Sequence, residues 1–247
     1  MGVNRIFVHG DVHGNFEWIA DFCRDNQTTT SDVLVLLGDS GILYGEKADR
    51  AEQIINNYLS SLPVTILDIQ GNHACPPEDR VEEGYLKTLM KIDDEMIGIA
   101  YQQFNYPNIY HAINGNTYYL AGHPCLVVGG ATSVDKEWRQ LTGNYWTEHE
   151  IPSLQDMNNI LHQIHTRHFD AVFTHTVPYE YMPRDAFMAS VDQSKEKNEM
   201  EHYLTRVKKE ITYDHWYAGH WHIDRDNVGP NMTILFNETR EIFIKEG

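Results

Sequence analysis

The sequence contains few of the features that mark secreted or membrane-spanning proteins. Its 247 residues include three cysteines, Cys23, Cys75 and Cys125, which are far apart and form no C-x-x-C pair, so no disulfide framework is expected. No segment reaches the roughly 20 apolar residues of a membrane helix. The apolar run Ile6–Val8 is too short for a secretory signal. The predicted location is therefore cytoplasmic, with no membrane partner.

Positive charge is also scarce. Asp and Glu number 36 against 19 Lys and Arg, which gives a formal net charge of −17 with neutral histidine. Such a surface repels polyanions, and no basic tract is present that would bind DNA or RNA non-specifically. A small phosphate ester is still a suitable substrate, because bound cations can reverse the sign of the potential within one pocket. The sequence does not predict an oligomeric state.

Short apolar runs and helical segments alternate along the chain, which predicts an α/β fold in a single domain spanning residues 1–247. Five strand-like runs end abruptly in Gly, Asp, Asn or His, at 6–8, 33–37, 64–69, 171–174 and 216–218. Helices are predicted after the first two runs, at Phe16–Arg24 with Asn15 as N-cap, and at Lys47–Leu62. This order implies a parallel sheet, so the polar residues after the runs are expected to meet at the carboxyl ends of its strands.

Other elements are predicted with less bearing on function. Two hairpins are expected, at Ile109–Leu120 around Asn114-Gly115-Asn116 and at Thr233–Ile244 around Asn237–Glu241. Two further helices are expected, at Ser153–Phe169 and Asn198–Ile211. Residues 76–104 and 178–198 are candidates for loops or a cap over the site.

The residues that follow the five runs offer oxygen and imidazole donors without a thiolate. They are Asp11, His13, Asp39, Asn72, His175, His220 and His222. This donor set suits Mn, Fe, Zn, Ni or Mg. Seven ligands exceed what one tetrahedral ion needs, whereas two ions sharing a carboxylate would use them all. Each motif alone is typical of a capped turn or a loop, and only their order and common position favour a joint site.

In order and spacing, the motifs resemble those of the calcineurin-like metallophosphoesterase superfamily over residues 10–222. The pattern D-x-H, G-D, G-N-H, a lone His and G-H-x-H appears as Asp11–His13, Gly38-Asp39, Gly71–His73, His175 and Gly219–His222. The resemblance implies two mixed β-sheets packed as a sandwich and flanked by helices. It also implies a metal-dependent phosphoesterase acting on phosphomonoesters or phosphodiesters, nucleotides among them.

The resemblance further implies a role for each residue. One ion would be held by Asp11, His13, Asp39 and His222, and the other by Asp39, Asn72, His175 and His220. Manganese is the expected metal, with Fe, Zn, Ni or Mg as alternatives. A hydroxide bridging both ions would attack phosphorus in line, and His73 would donate a proton to the leaving oxygen or stabilise its charge.

Two departures from the family pattern bear on the alternative functions. Ala74 follows His73 where the family usually has Asp or Glu, so no local carboxylate supports His73. Residues Gly38–Ile42 lack the second Asp and the Arg of the phosphoprotein phosphatase motif G-D-x-x-D-R-G, which argues against a Ser/Thr protein phosphatase of the standard type. The alternatives to a small-molecule phosphoesterase are a phosphoprotein phosphatase and a catalytically silent protein-binding scaffold of the same fold.

Two arginines and a set of histidines complete the candidates. The Gly129-Gly130-Ala131 segment, with Asp135 and Arg139 downstream, is similar to one found in some small bacterial and phage members. Arg139 is predicted to contact the substrate phosphate, because a guanidinium binds that anion bidentately; a surface helix arginine is the alternative. Arg184, in a predicted loop, is a secondary candidate. His162, His165 and His168 recur three residues apart on a predicted helix, which could form a metal-binding stripe. A solvated helix face is the preferred interpretation, because no carboxylates and histidines at strand ends accompany them.

Overall fold

In the computed structural model, which describes residues 5–187 and 197–243, the chain forms two mixed β-sheets flanked by helices. The strands are β1 Ile6–His9, β2 Val33–Leu36, β3 Thr65–Asp68, β4 Tyr85–Ile92, β5 Glu95–Gln103, β6 Ile109–Ala112, β7 Thr117–Leu120, β8 His123–Val128, β9 His168–Thr174, β10 Thr212–Ala218, β11 Arg225–Gly229, β12 Met232–Ile234 and β13 Thr239–Ile242. The α-helices are α1 Glu17–Asn26, α2 Arg50–Ser60, α3 Lys136–Thr142, α4 Leu154–Ile164 and α5 Glu199–Glu210.

The two sheets pack against each other through a shared apolar core. The first sheet has the strand order β13-β1-β2-β3-β6-β5-β4, and the second has the order β11-β12-β10-β9-β8-β7. Alternate residues of β1, such as Ile6 and Val8, join residues of β8 and β9, such as Val127 and Phe173, in the core between the sheets. This arrangement confirms the predicted fold class.

Helices cover the outer face of each sheet. On the first sheet, Phe7 and Leu34 pack with α1 and α2; on the second, Val172 and Trp216 pack with α4 and α5. Helix α2 is preceded by the N-cap residue Asp49, whose side chain accepts the backbone N–H of Glu52. No helix in the described ranges combines the length and apolarity needed to cross a lipid bilayer.

Both predicted hairpins are wrong, because their strands belong to different sheets. Strand β6 lies in the first sheet and β7 in the second, and the Asn114–Asn116 turn carries the chain between them. Likewise β12 pairs with β10 in the second sheet, whereas β13 pairs antiparallel with β1 in the first. Ile244, assigned to the second predicted hairpin, lies outside the described residues. A local turn signal specifies a change of direction, but it does not specify which sheet the next strand joins.

Other predicted boundaries also need correction. Asn15 is not an N-cap, since Phe16 occupies that position of α1 without a side-chain cap. Helix α4 ends at Ile164, and His168 opens strand β9 instead of continuing a helical row. Most of residues 76–104 forms β4 and β5 at one edge of the first sheet and is therefore not a cap. Of the second cap candidate, residues 188–196 lie outside the described ranges.

Candidate metal centre

The five predicted strand ends carry the candidate ligands to one place. Strands β1, β2 and β3 are parallel neighbours in the first sheet, and β9 and β10 are parallel neighbours in the second. Six of the candidates form two groups, Asp11 with His13 and His222, and Asp39 with His175 and His220. Within each group the ligand atoms lie within 4.8 Å of one another. Asn72 adjoins the second group, with its Oδ1 3.0 Å from His175 Nε2. The structure therefore brings all seven candidates together.

In each of the two buried carboxylates, Asp11 and Asp39, one oxygen accepts a backbone N–H from another loop. Asp11 Oδ1 accepts the backbone N–H of His220 at 2.6 Å, which links the two sheets. Asp39 Oδ1 accepts the backbone N–H of His73 at 2.8 Å, which links two loops of the first sheet. In each case the second oxygen, Oδ2, is left to face the imidazoles of the site.

One carboxylate oxygen of the site, Asp11 Oδ2, has no hydrogen-bond partner among the described residues. The oxygen is buried. The nearest imidazole nitrogens are His222 Nε2 at 3.3 Å and His13 Nε2 at 3.7 Å. Buried polar atoms are rarely left without a partner, and a divalent cation between these three side chains would supply one. The donor set therefore fits a metal ion.

Hydrogen bonds outside the centre orient the donors of the second group. His175 Nδ1 donates to the carbonyl of Leu37 at 2.7 Å, which turns Nε2 toward Asp39 Oδ2 at 3.5 Å. Asn72 Nδ2 donates to Ser133 Oγ at 3.0 Å, which turns the amide oxygen of Asn72 into the site. Such partners fix the tautomer and direction of metal ligands in proteins.

Burial and neighbouring charges shift the pKa values of Asp39, His175 and His220. Burial alone would raise the pKa of Asp39, but the charges and hydrogen bonds of His175 and His73 lower it well below its usual range. Burial opposes the charge on His175, yet Asp39 and Asp11 raise its pKa to about 9. Burial and the neighbouring His175 lower the pKa of His220 to about 3. The carboxylates thus stabilise positive charge in their midst.

The backbone is strained at several of these residues. Non-glycine residues rarely adopt positive φ, yet φ is 48° at His13, 45° at Asp39, 71° at His220 and 50° at His222. Hydrogen bonds hold these conformations, among them His13 N–H to Asp39 O at 2.8 Å. Strain of this kind concentrates at functional sites, where it aims side chains that a relaxed backbone would point elsewhere.

Two glycines of the motifs are required by close approach. A Cβ on Gly71 would collide with the Asp39 carboxylate and its backbone nitrogen. A Cβ on Gly38, which has φ of +94°, would collide with the His175 ring. These glycines therefore allow the ligands to converge, in addition to ending the strands.

A family model described as calcineurin-like phosphoesterase matches residues 4–224. The chain belongs to this family. A comparison with curated proteins finds no match. The match confirms the resemblance stated from the motifs, and it carries the general reaction class of the family, metal-dependent hydrolysis of phosphate esters.

In this calcineurin-like phosphoesterase, the side chain that contacts the His73 ring comes from helix α3. Arg139 Nη2 contacts the His73 ring, and the Arg139 side chain is only 3% exposed, so the surface-arginine alternative is wrong. Arg139 Nε donates to Asp135 Oδ2 at 2.8 Å. Although Ala74 offers no carboxylate, Asp135 thus reaches His73 through Arg139. Burial, with Arg139 alongside, lowers the pKa of His73 against the opposing charge of Asp39.

A cleft of about 300 Å³ opens beside the centre and is lined by His13, Asp39 and His73. The rest of its lining includes the apolar or aromatic residues Ile42, Tyr44, Ala51 and Ile55 and the acidic residues Asp49 and Glu52. Cavities of about 490 to 560 Å³ lie elsewhere, but they contain none of the seven candidate ligands. The candidate ligands in its lining, and not its size, make this cleft the candidate substrate site.

The sequence gives no signal for several parts of this site. The Ser133 contact with Asn72 and the Asp135 contact with Arg139 depend on how the Gly129–Arg139 segment packs.

The secondary candidate Arg184 places its guanidinium 4.9 Å from the centroid of the Tyr179 ring.

Proposed function

We propose that this protein is a dinuclear metallophosphoesterase that hydrolyses small phosphate esters. The observation that carries the proposal is the pair of adjacent donor groups, Asp11 with His13 and His222, and Asp39 with His175 and His220. Asn72 would complete the second group, and Asp39 would serve both ions. Manganese is the preferred metal in this proposal, and Fe, Zn, Ni and Mg suit the same donors. Bound ions would acidify water and neutralise the charge on the substrate phosphate.

The residues beside the donor groups have separate roles in the proposal. Arg139 would bind the phosphate oxygens, because its guanidinium contacts His73 at the edge of the centre and is held by Asp135. His73 would donate a proton to the leaving oxygen or stabilise the charge that develops on it. The His73 side chain is 33% exposed, and its Nε2 lies 3.6 Å from Asp39 Oδ2. It is thus accessible to substrate while it remains at the edge of the centre.

The cleft indicates what the alcohol part of the substrate resembles. Tyr44 is half exposed on the cleft wall, and its ring centroid lies 5.9 Å from that of Tyr145. The partly exposed Ile55 lines the same cleft. An aryl group or a nucleoside base would pack against these side chains. With a net charge of −17, the protein is poorly suited to long nucleic acids, so the proposed substrates are small.

A substrate panel with added Mn²⁺ tests the proposal. The panel contains p-nitrophenyl phosphate, its bis-ester, cyclic nucleotides, dinucleotide polyphosphates and a phosphopeptide. Asp39→Asn is expected to abolish every activity that the wild type shows, because it removes the shared carboxylate. The matched control is Asp25→Asn at an exposed position of α1, which is expected to keep wild-type turnover. Turnover of the phosphopeptide alone would favour the phosphoprotein phosphatase alternative.

A second comparison separates a working enzyme from a silent scaffold. His73→Ala is expected to keep its metal and to lose more activity on alkyl phosphates than on p-nitrophenyl phosphate, because a good leaving group needs no proton. His149→Ala, at an exposed histidine outside the centre, is the control. Manganese binding without turnover of any ester in the wild type would support the scaffold and overturn the proposed activity.

A further inference from the structure

We propose a third divalent-cation site, formed by His168, Asp170 and Asp214 at the end of the second sheet opposite the catalytic centre. Among the described residues, three groups of side chains bring their ligand atoms within 4.8 Å of one another. Two of them are the halves of the catalytic centre, and the third is this group. The proposal is independent of the catalytic function.

The position of the group follows from the direction of the strands. His168 and Asp170 lie at the start of β9, and Asp214 lies near the start of β10, its parallel neighbour. His175 and His220 follow the other ends of the same strands. Seven residues of strand at about 3.3 Å each separate the two ends, so the third site lies about 20 Å from the catalytic ions. Occupancy of one site therefore does not require the other.

The distances in the group suit a small transition-metal ion. His168 Nε2 is 3.4 Å from Asp214 Oδ1 and 3.7 Å from Asp170 Oδ1. Ligands bound at about 2.0–2.1 Å in a tetrahedral zinc site stand about 3.4 Å apart, so these three atoms already lie near the edges of such a tetrahedron. Water would complete the coordination, because the His168 and Asp214 side chains are half exposed or more.

Two outer contacts direct the ligand atoms. His168 Nδ1 is 3.0 Å from Thr212 Oγ1, and with Nδ1 as the donor the Nε2 lone pair faces the carboxylates. His123 Nδ1 is 2.6 Å from Asp170 Oδ2, which leaves Oδ1 of Asp170 toward His168. The His123 ring is itself stacked on Phe243 at 4.0 Å. Partners of this kind accompany metal ligands in proteins.

The charge of the group favours a cation. Two carboxylates converge here, and no lysine or arginine of residues 5–187 or 197–243 forms an ion pair with either. One imidazole and two carboxylates are borderline-to-hard donors that suit Zn²⁺, Co²⁺ or Mn²⁺. A bound ion would join the beginnings of β9 and β10.

Zinc stoichiometry tests the proposal. The full-length wild type, His168→Gln and Asp214→Asn are dialysed against excess Zn²⁺, and bound metal is measured by elemental analysis. Each variant is expected to bind one zinc ion fewer per chain than the wild type. Both substitutions are at exposed side chains, so the fold is expected to persist. The matched control is His162→Gln, an exposed histidine on α4, which is expected to keep the wild-type count.

The same loss is measured in an Asp39→Asn background, which distinguishes this site from the catalytic centre. There His168→Gln is still expected to remove one ion. In zinc-soaked crystals, an anomalous difference peak is expected within bonding distance of His168 Nε2. Equal zinc counts in the wild type and His168→Gln, or no peak beside His168, would overturn the proposal.

Discussion

The contact between Asp135 and Arg139 gives the most specific prediction about catalysis. Asp135→Asn keeps the size of the side chain and removes the charge that holds Arg139 Nε at 2.8 Å. Arg139 would keep a longer contact to the Tyr145 carbonyl at 3.4 Å. The guanidinium would therefore stay near His73 but lose its fixed direction.

The magnitude follows from the exposure of the pair. A hydrogen bond to a charged group contributes about 1.5–3 kcal/mol. The Asp135 side chain is 37% exposed, so solvent screening places the effect at or just below the lower end of that range. We expect a loss of about 1.4 kcal/mol in transition-state stabilisation, which is about tenfold in kcat/KM.

The assay is hydrolysis of p-nitrophenyl phosphate at saturating Mn²⁺, with metal content measured on the same samples. Asp135→Asn is expected to keep its manganese and to lose about tenfold in kcat/KM. Glu137→Gln is the matched control, since it removes an exposed acid from the same helix. Wild-type kcat/KM in Asp135→Asn, or loss of manganese together with activity, would refute the positioning role of Asp135.

Two further predictions concern close packing and pH. Gly71→Ala is expected to reduce manganese binding and activity, because its Cβ collides with Asp39. The control is Gly45→Ala, where φ is +91° but the space around the Cβ is open; it should lose about 1 kcal/mol of stability and keep the metal. Burial lowers the pKa of His9 to about 4 from an unfolded value of 6.5. The contribution of neutral His9 to the free energy of unfolding is therefore complete above pH 6.5. It decreases by about 3 kcal/mol as the pH falls to 4 and below. Urea unfolding of His9→Gln should show a weaker pH dependence than that of the wild type or His162→Gln; equal slopes would contradict this.

The sequence specifies the site better than it specifies the path of the chain. Apolar runs of strand length correctly mark β1, β2, β3, β9 and β10, and the order of strands and helices places their ends together. Parallel neighbours bring their carboxyl ends to one edge whichever elements lie between them. The positions of the candidate ligands therefore follow from local patterns, while their roles as ligands stay a prediction.

The errors come from contacts between residues distant in sequence. Whether β7 pairs with β6 depends on packing between the sheets, and the Asn-Gly turn carries no such information. The row of histidines on the predicted helix is broken because Phe169 is buried as part of β9, which places His168 beside Asp214. The single domain, the cytoplasmic location and the substrate class stay predictions.

The bridging role of Asp39 is tested most directly by EPR spectroscopy of the manganese-loaded protein. Two Mn²⁺ ions that share one carboxylate are expected to give a spin-coupled spectrum in the wild type. In Asp39→Asn that spectrum should be lost, leaving at most the signal of isolated ions. A wild-type spectrum of isolated Mn²⁺ alone, at full metal loading, would contradict the dinuclear centre.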